Sequence, residues 1–357
     1  MSDLPKLTVI VPCRNEEKFI SQCLESIVHS DYPCDRLEVL ALDGMSEDET
    51  WRIIESYSTK YSFLRGLRNT RRITPAALNI GIENATGEIV CRVDAHASVP
   101  SDYLRTCVEA LLESGADNVG GEMRTLPSNS GLTARGIASA MSHPFGVGNS
   151  PFRNSQLAPI WADTVFGGCY RKQLFERIGF FNEGLARGQD MEFNRRLCDA
   201  GGKILLDPRI KSSYFASPDL RSFWRHNLLD GEWAIFPFVH SNVIPVRWRH
   251  AAPLALVATV IVLASGVLLT PSSLMGLCIL SVVYLTLSIL SSIHIASREH
   301  EWRFVLLMPV VFAVRHIAYG LGSLIAVLSL LRRFLFARHP FRRAYNLPGQ
   351  IVLFLLD

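Results

Sequence analysis

The sequence lacks several signatures that would have fixed its class at once. No Gly-x-Gly-x-x-Gly follows its first apolar run, which argues against a dinucleotide-dependent dehydrogenase. Among its cysteines (Cys13, Cys23, Cys34, Cys91, Cys107, Cys169, Cys198 and Cys278) there is no Cys-x-x-Cys pair, so zinc ribbons and dithiol redox motifs are excluded. Several lie in apolar runs, Cys91 and Cys278 among them, and read as small core residues in a reducing cytosol. The net charge is only +3 over 357 residues, too little to argue for nucleic acid as a partner. The opening MSDLPKLTVIVPC has no basic segment followed by an apolar stretch and a cleavage site, so no signal peptide is expected.

What is present is unevenly distributed. Residues 1–240 have the composition of a soluble domain, whereas 241–357 are mostly apolar, and the length suits two domains. In the first part, apolar runs that suit buried strands alternate with runs of helical spacing. Leu7–Cys13, Leu37–Asp43 and Ile89–Val93 are expected strands; Glu16–Ser30, Glu47–Lys60, Thr74–Asn84 and Ser101–Ser114 are expected helices. That alternation predicts an α/β fold, a mostly parallel sheet with flanking helices. In such sheets ligands collect at the carboxyl ends of the strands.

Three polar stretches fall at those ends: Pro12-Cys13-Arg14-Asn15-Glu16, Asp43-Gly44-Met45-Ser46, and Asp94-Ala95-His96. Residues i and i+2 of an extended chain face the same side, so Asp94 and His96 are placed to grip one object. A divalent metal is one candidate, since carboxylate and imidazole both ligate such ions. The plainer alternative is a turn-capping Asp and a surface His.

The motifs resemble glycosyltransferase family 2 over about residues 7–235. VIVPCRNEE is similar to that family's opening, DGMSEDET to its Asp-Gly-x-Ser-x-Asp-x-Thr segment, and ALNIGIENATGEIVCRVDAHA to the run that ends in Asp-x-Asp. Here the second acid of that motif is replaced by His96. FGGCYRKQLFERIGFFNEGLARGQDMEFNRRL resembles the acceptor-side region, with Gln189-Asp190 where the family writes Glu-Asp. The Asp-Ala-His-Ala stretch and apolar C-terminal region bring the sequence nearest to membrane-bound succinoglycan-type glucosyltransferases. The resemblance implies the GT-A nucleotide-sugar fold, a nucleoside-diphosphate sugar donor and a lipid-diphosphate-linked saccharide acceptor.

The resemblance also implies roles. Pro12, Arg14, Asn15, Glu16, Asp43, Arg72, Asp94 and Ala95 would line the nucleotide-sugar site, with Asp43 on the base or ribose. For Glu16 the alternative is simply the start of a helix. Of the adjacent Arg71 and Arg72, only one can point inward from a helix start. Asp94 and His96 would hold Mn2+ or Mg2+ against the donor diphosphate. Asp190 would be the general base of an inverting transfer, or only the N-cap of its helix. Arg221, Trp224 and Arg225 share a helix face and suit either a diphosphate or a membrane surface. The Gln-x-x-Arg-Trp motif of processive synthases is missing.

Residues 251–270 and 273–296 are apolar enough to cross a bilayer. Basic residues on both outer flanks put those flanks in the cytoplasm, and the resemblance implies a bacterial inner membrane. Residues 304–331 carry Arg315 and His316 mid-run and precede a basic tail at 332–357. The expectation is a re-entrant or interfacial helix pair hinged near Gly320 and Gly322, with Arg315 and His316 at the level of a lipid diphosphate. The alternative is a tilted third span. The functions in competition are a non-processive glycosyltransferase, a processive synthase and a non-catalytic nucleotide-sugar-binding adaptor.

Overall fold

The computed structural model describes residues 4–148, 150–153, 157–243 and 248–336. The first half alternates strand and helix: β1 (Leu7–Cys13), α1 (Ile20–Val28), β2 (Leu37–Asp43), α2 (Thr50–Lys60), β3 (Leu64–Arg68), α3 (Thr74–Asn84), β4 (Ile89–Arg92), β5 (Ala97–Ser98) and α4 (Tyr103–Ser114). It continues through β6 (Asn118–Leu126), α5 (Leu132–Ala140), α6 (Pro144–Val147), β7 (Ile160–Ala162), β8 (Phe166–Arg171), α7 (Leu174–Ile178), α8 (Gln189–Asp199) and β9 (Ile204–Phe215). Helices α9 (Leu220–Ile235), α10 (Pro237–His240), α11 (Trp248–Gly266), α12 (Pro271–Arg298) and α13 (Phe304–Phe336) complete the described chain.

All nine strands form one sheet in the order β3-β2-β1-β4-β8-β6-β9-β5, with β7 also on β9. Strands β3, β2, β1 and β4 are mutually parallel, β8 runs antiparallel to both its neighbours, and β6 is parallel to β9. The β1 and β2 residues are buried throughout, as a strand covered by helices on both faces requires. Helix α1 buries Ile20, Cys23, Leu24 and Ile27, one stripe at helical spacing, against this face of the sheet. The opposite face is filled by α3, α7 and α8 around Phe175, Phe181 and Phe193.

Strand β3 was not expected from the sequence: LRGLR alternates weakly and exposes both arginines, so an edge position, not a hydrophobic run, makes it a strand. Helix α1 begins at Ile20 and not at Glu16, because Asn15 adopts φ 55° and the chain from 16 to 19 is a turn. Helix α2 likewise starts three residues later than expected, at Thr50.

The apolar half differs more from expectation. The first run is helical only to Gly266, and its apolar part from His250 is short; among the described residues α12 and α13 are the two helices long and apolar enough to cross a membrane. Nearly every large side chain of α12, from Leu274 to Ile293, is exposed, an apolar surface far beyond what a water-facing helix carries. The expected hinge at Gly320 and Gly322 is absent: α13 is one continuous helix of 33 residues. Those glycines serve close packing instead. A Cβ on Gly322 would overlap the Leu228 carbonyl of α9, one on Gly231 of α9 would overlap the Tyr319 carbonyl of α13, and one on Gly320 would overlap the Pro253 carbonyl of α11. Ser323 donates to the Gly231 carbonyl across the same crossing, at 2.9 Å. The basic tail beyond residue 336 lies outside the described residues.

Gly322→Val should therefore force α9 and α13 apart. We expect a loss of about 1–3 kcal/mol, the usual range for overpacking, read as a lower thermal midpoint of the detergent-solubilised protein. An unchanged midpoint would mean that the crossing is looser than described.

Candidate active site

The carboxyl rim of the sheet begins at Asp43, the last residue of β2 and fully buried. Its carboxylate accepts hydrogen bonds from Arg68 Nη1 (2.5 Å), Ser46 Oγ (2.5 Å) and the Ser46 N–H (3.2 Å). Arg68 ends β3, and its guanidinium lies 3.6 Å from the centre of the Trp51 ring. Sequence reading passed over Arg68 because β3 itself was not recognised.

Three non-glycine residues on this rim have positive φ: Asn15 (55°), Met45 (58°) and Arg72 (61°). Each sits in the loop after a strand, and such conformations persist where surroundings over-determine them. The first two loops are stitched together. Asn15 N–H donates to Ser46 Oγ (2.9 Å), Glu47 N–H donates to Asn15 Oδ1 (2.9 Å), and Glu16 N–H donates to Thr50 Oγ1 (2.7 Å). Pro12 is buried within β1, whereas Arg14 and Arg72 are exposed at the rim. Arg71, its neighbour, pairs with Glu183.

Asp94 and His96 follow β4, with the buried Ala95 between them. Arg92, two residues before Asp94 and so on the same side, donates Nε–H to Oδ1 (2.7 Å) and Nη2–H to Oδ2 (3.2 Å), a forked pair. Burial raises the Asp94 carboxyl, but Arg92 and then His96 more than offset this and hold it below the usual carboxylate range. Burial alone would lower the His96 pKa. The hydrogen bond to Glu16 Oε1 (Nδ1, 3.2 Å) and the charges of Asp94 and Glu16 raise it instead. With Nδ1 facing Glu16, Nε2 is the ring nitrogen left for a ligand. Tyr214 of β9 meets the imidazole edge-on at 5.1 Å. Arg92 was another residue the sequence reading missed. The available signal was a charged residue inside a buried strand, in register with Asp94.

Asp190 stands in the first turn of α8, where its Oδ1 accepts the Met191 N–H at 2.9 Å. The cap position belongs to Gly188, at φ 72°, so Asp190 is not the N-cap. Its charge, with that of Asp94, helps raise the Arg92 guanidinium pKa against the lowering effect of burial.

Arg221 and Arg225 line a cavity of about 480 Å³ on α9 together with Arg187, Asp219, Ser222, His226 and Leu229; Trp224 is half-buried outside it. Arg315 and His316 lie against α6, with α9 and α12 alongside. Arg315 donates to the Gly146 carbonyl and to Asn227 Oδ1 (2.6 Å), and His316 bridges Tyr284 Oη (2.9 Å) and the Phe145 carbonyl (2.9 Å).

Among the described residues no three His, Cys, Asp or Glu side chains group into a self-sufficient metal site. The donors present, a free imidazole nitrogen on His96 and the remaining lone pairs of Asp94, do fit an ion that takes its other ligands from phosphate oxygens and water, as Mg2+ does at phosphate-transfer sites.

The Arg92–Asp94 pair makes a pH-dependent contribution to folding. Because the folded carboxyl pKa is depressed, the stabilisation is complete above the unfolded value of about 3.9 and is lost as the pH falls through the folded value. Arg92→Met leaves the buried carboxylate without its fork. In metal-free protein this should cost about 3 kcal/mol at pH 7, with a smaller difference from wild type at pH 3, measured by urea unfolding. Equal midpoints at pH 7 would refute the pairing.

Comparison with known proteins fits this geometry. The family model described as Glycosyl transferase family 2 matches residues 8–179. The chain is 30% identical over 233 residues to the dolichyl N-acetyl-alpha-D-glucosaminyl phosphate 3-beta-D-2,3-diacetamido-2,3-dideoxy-beta-D-glucuronosyltransferase of Methanococcus voltae, an alignment covering 63% of this chain and 71% of that protein. It is 29% identical over 221 residues to succinoglycan biosynthesis protein ExoA of Rhizobium meliloti, covering 61% of this chain and 66% of that protein. Among solved structures, the mannosyltransferase PcManGT from Pyrobaculum calidifontis, in complex with GDP-Man and Mn2+, matches with a TM-score of 0.57 at 21% identity over 88% of each chain, a likeness of fold. The architecture is the GT-A fold, and the chain belongs to glycosyl transferase family 2: it is a glycosyltransferase.

Proposed function

We propose that the protein transfers a hexose, glucose in the first instance, from a uridine diphosphate sugar to a lipid-diphosphate-linked saccharide. Transfer is inverting, one sugar per acceptor, on the cytoplasmic face of a bacterial inner membrane, in exopolysaccharide or surface-glycan assembly. The observation that supports this reading is that Asp43 ends β2 while Asp94 and His96 follow β4, two parallel strands either side of β1, with the charge of Asp190 acting on Arg92, the partner of Asp94. The named relatives from Methanococcus voltae and Rhizobium meliloti support a lipid-linked acceptor and exopolysaccharide synthesis respectively.

In this reading Asp43, fixed by Arg68 and Ser46, accepts hydrogen bonds from the base or ribose. The first loop, Pro12 to Glu16, and Arg72 close around the nucleotide. Asp94 and His96 would hold Mn2+ or Mg2+, with Glu16 orienting the imidazole; such an ion supplies charge neutralisation at the leaving diphosphate. Asp190 takes the proton of an acceptor hydroxyl. That oxygen bonds to the anomeric carbon as the bond from that carbon to the diphosphate oxygen breaks, and the nucleoside diphosphate departs with the electron pair. One displacement with no enzyme-bound sugar inverts the anomeric centre.

Membranes bearing the protein should move label from radioactive UDP-glucose into lipid extract in a metal-dependent way. Asp190→Asn should lower the rate by about 10²-fold or more, and a variant with the wild-type rate would remove Asp190 as base. Glu16→Gln should raise the metal concentration for half-maximal rate by about tenfold; superimposable metal curves would show that Glu16 does not support the ligand.

A further inference from the structure

Helix α13 lies against α5, α6 and α9 along most of its length. Just ahead of it, Glu301 pairs with Arg135 of α5 (3.5 Å), whose guanidinium is 5.5 Å from the centre of the Phe304 ring. A Cβ on Gly136 of α5 would press on Leu307 at 3.0 Å. The Phe145 ring of α6 then meets Phe312 (4.9 Å) and His316 (5.1 Å), and Asn227 of α9 meets Arg315 (2.6 Å). Ser323, which donates to the Gly231 carbonyl of α9, is about 30 Å along the helix from Phe304 at a rise of about 1.5 Å per residue. Helix α12 is held at the same level. Tyr284, at its midpoint, meets Phe145 (5.8 Å) and bonds to His316, and His294 meets His143, the residue that caps α6 (5.3 Å).

Little helix is left beyond these contacts. Helix α13 continues from Ser323 to Phe336, α12 runs from Tyr284 back to Pro271, and α11 runs from Pro253, which packs on Gly320, to Gly266. Each remainder is about 20 Å long, against a hydrocarbon core about 30 Å thick. For any of the three to cross, α5, α6 and α9 would have to enter the bilayer beside them. That would carry Arg135 of α5, and Arg221, Arg225 and Asp230 of α9, towards hydrocarbon, where charge is costly.

The apolar surface points the same way. On α13 the exposed Leu306, Val310, Ile317, Leu328, Leu331 and Leu335 recur at helical intervals and form one narrow stripe. The stripe is about 44 Å long, longer than the bilayer core is thick. Exposed arginines stand at both of its ends, Arg298 and Arg303 before it and Arg332 in its last turn. A crossing helix would carry one basic end outside, against the preference of arginine for the cytoplasmic side. The turn between α11 and α12 is apolar and almost fully exposed at Leu268 (95%) and Leu269 (81%). Its polar groups answer one another. The Leu269 and Thr270 N–H groups both donate to the Gly266 carbonyl (2.9 Å), and the Thr270 and Ser273 hydroxyls are 2.8 Å apart. A turn satisfied in this way suits lipid better than the water outside.

We propose that α11, α12 and α13 form a monotopic anchor that lies along the cytoplasmic leaflet and does not cross the membrane. The α13 stripe, the exposed face of α12 and the α11–α12 turn enter the acyl region of that leaflet, and the sheet domain rests on its headgroups. The partner is thus a lipid surface met side-on. This rests on the cytoplasmic placement given above, and not on the transfer reaction.

The test reads position in the full chain. Cys278→Ala removes the exposed thiol of α12 and leaves exposed Cys34 of the sheet domain as a reporter of the cytoplasmic side. Ser272→Cys, Leu306→Cys, Ile317→Cys and Leu331→Cys are then introduced one at a time, all at exposed positions where the fold has nothing to lose. A membrane-impermeant maleimide applied to intact cells should modify none of these thiols, whereas in inverted vesicles it should modify Cys34. Modification of Ser272→Cys or Leu331→Cys from outside shows a crossing and overturns the proposal. Modification of Cys34 in intact cells overturns the cytoplasmic placement and the proposal with it.

A second measurement gives a positive signal. With Cys34 and Cys198 also replaced by serine, the same four thiols carry a nitroxide in vesicles of phosphatidylethanolamine and phosphatidylglycerol. At each position collisions with oxygen should exceed those with a water-soluble nickel chelate, and Leu306→Cys, Ile317→Cys and Leu331→Cys should lie at one shallow depth. A deep Ile317→Cys between two shallow ends is the pattern of a crossing helix and overturns the proposal, as does dominance of the nickel chelate at the stripe. Sugar transfer by a protein whose turn is labelled from outside would keep the proposed function and remove the monotopic anchor. A uniform shallow depth in a protein that transfers no sugar would do the reverse.

Discussion

A carboxylate held away from water needs a cation beside it, and the carboxyl rim of this sheet is organised around that requirement. Asp43 ends β2 and Asp94 follows β4, on either side of β1, and each is matched by an arginine supplied from the sheet itself, Arg68 from the end of β3 and Arg92 from β4. Removing either arginine would leave a charge with only partial compensation, from Ser46 at Asp43 and from His96 at Asp94. The pairs therefore do two things at once. They permit acids in a dry place, and they fix the direction in which the remaining lone pairs of those acids face.

The loops of the rim obey the same logic of mutual support. Asn15, Met45 and Arg72 hold left-handed backbone that an isolated loop would not keep, and Ser46, Thr50 and the Asn15 side chain tie the first two loops to one another. Such cross-bracing pre-orders the rim before any ligand arrives, so that a nucleotide would not bear the entropy of organising it. Glu16 shows how a single residue serves both purposes: its backbone is tied to Thr50, and its side chain orients the His96 ring.

The apolar helices are coupled to this domain by contact and not merely by connection. Glycines at 231, 320 and 322 let α9, α11 and α13 approach at backbone distance, and Arg315 reaches from α13 to meet Gly146 of α6 and Asn227 of α9. An arginine in the middle of an apolar run is costly in lipid. Here its head is withdrawn into protein, which accounts for a feature that otherwise argued for a broken or re-entrant helix.

Much was legible from the sequence because it rests on local periodicity and on order along the chain. Buried apolar runs marked β1, β2 and β4, the helical stripe of Ile20, Cys23, Leu24 and Ile27 marked α1, and the polar residues after the strands marked the rim at Asp43, Asp94 and His96. The sequence alone also marked where apolar composition begins. What it left open depends on pairing between distant segments. Strand β3 exists because β2 offers it an edge, so Arg68 became visible as the partner of Asp43 only in the folded sheet. The link from Glu16 to His96 spans eighty residues, and no spacing rule reaches that far. The continuity of α13 through Gly320 and Gly322 goes with the α9 and α11 backbones packed against those glycines, since a glycine pair permits either a hinge or a close crossing, and only the neighbour that fills the space selects between them.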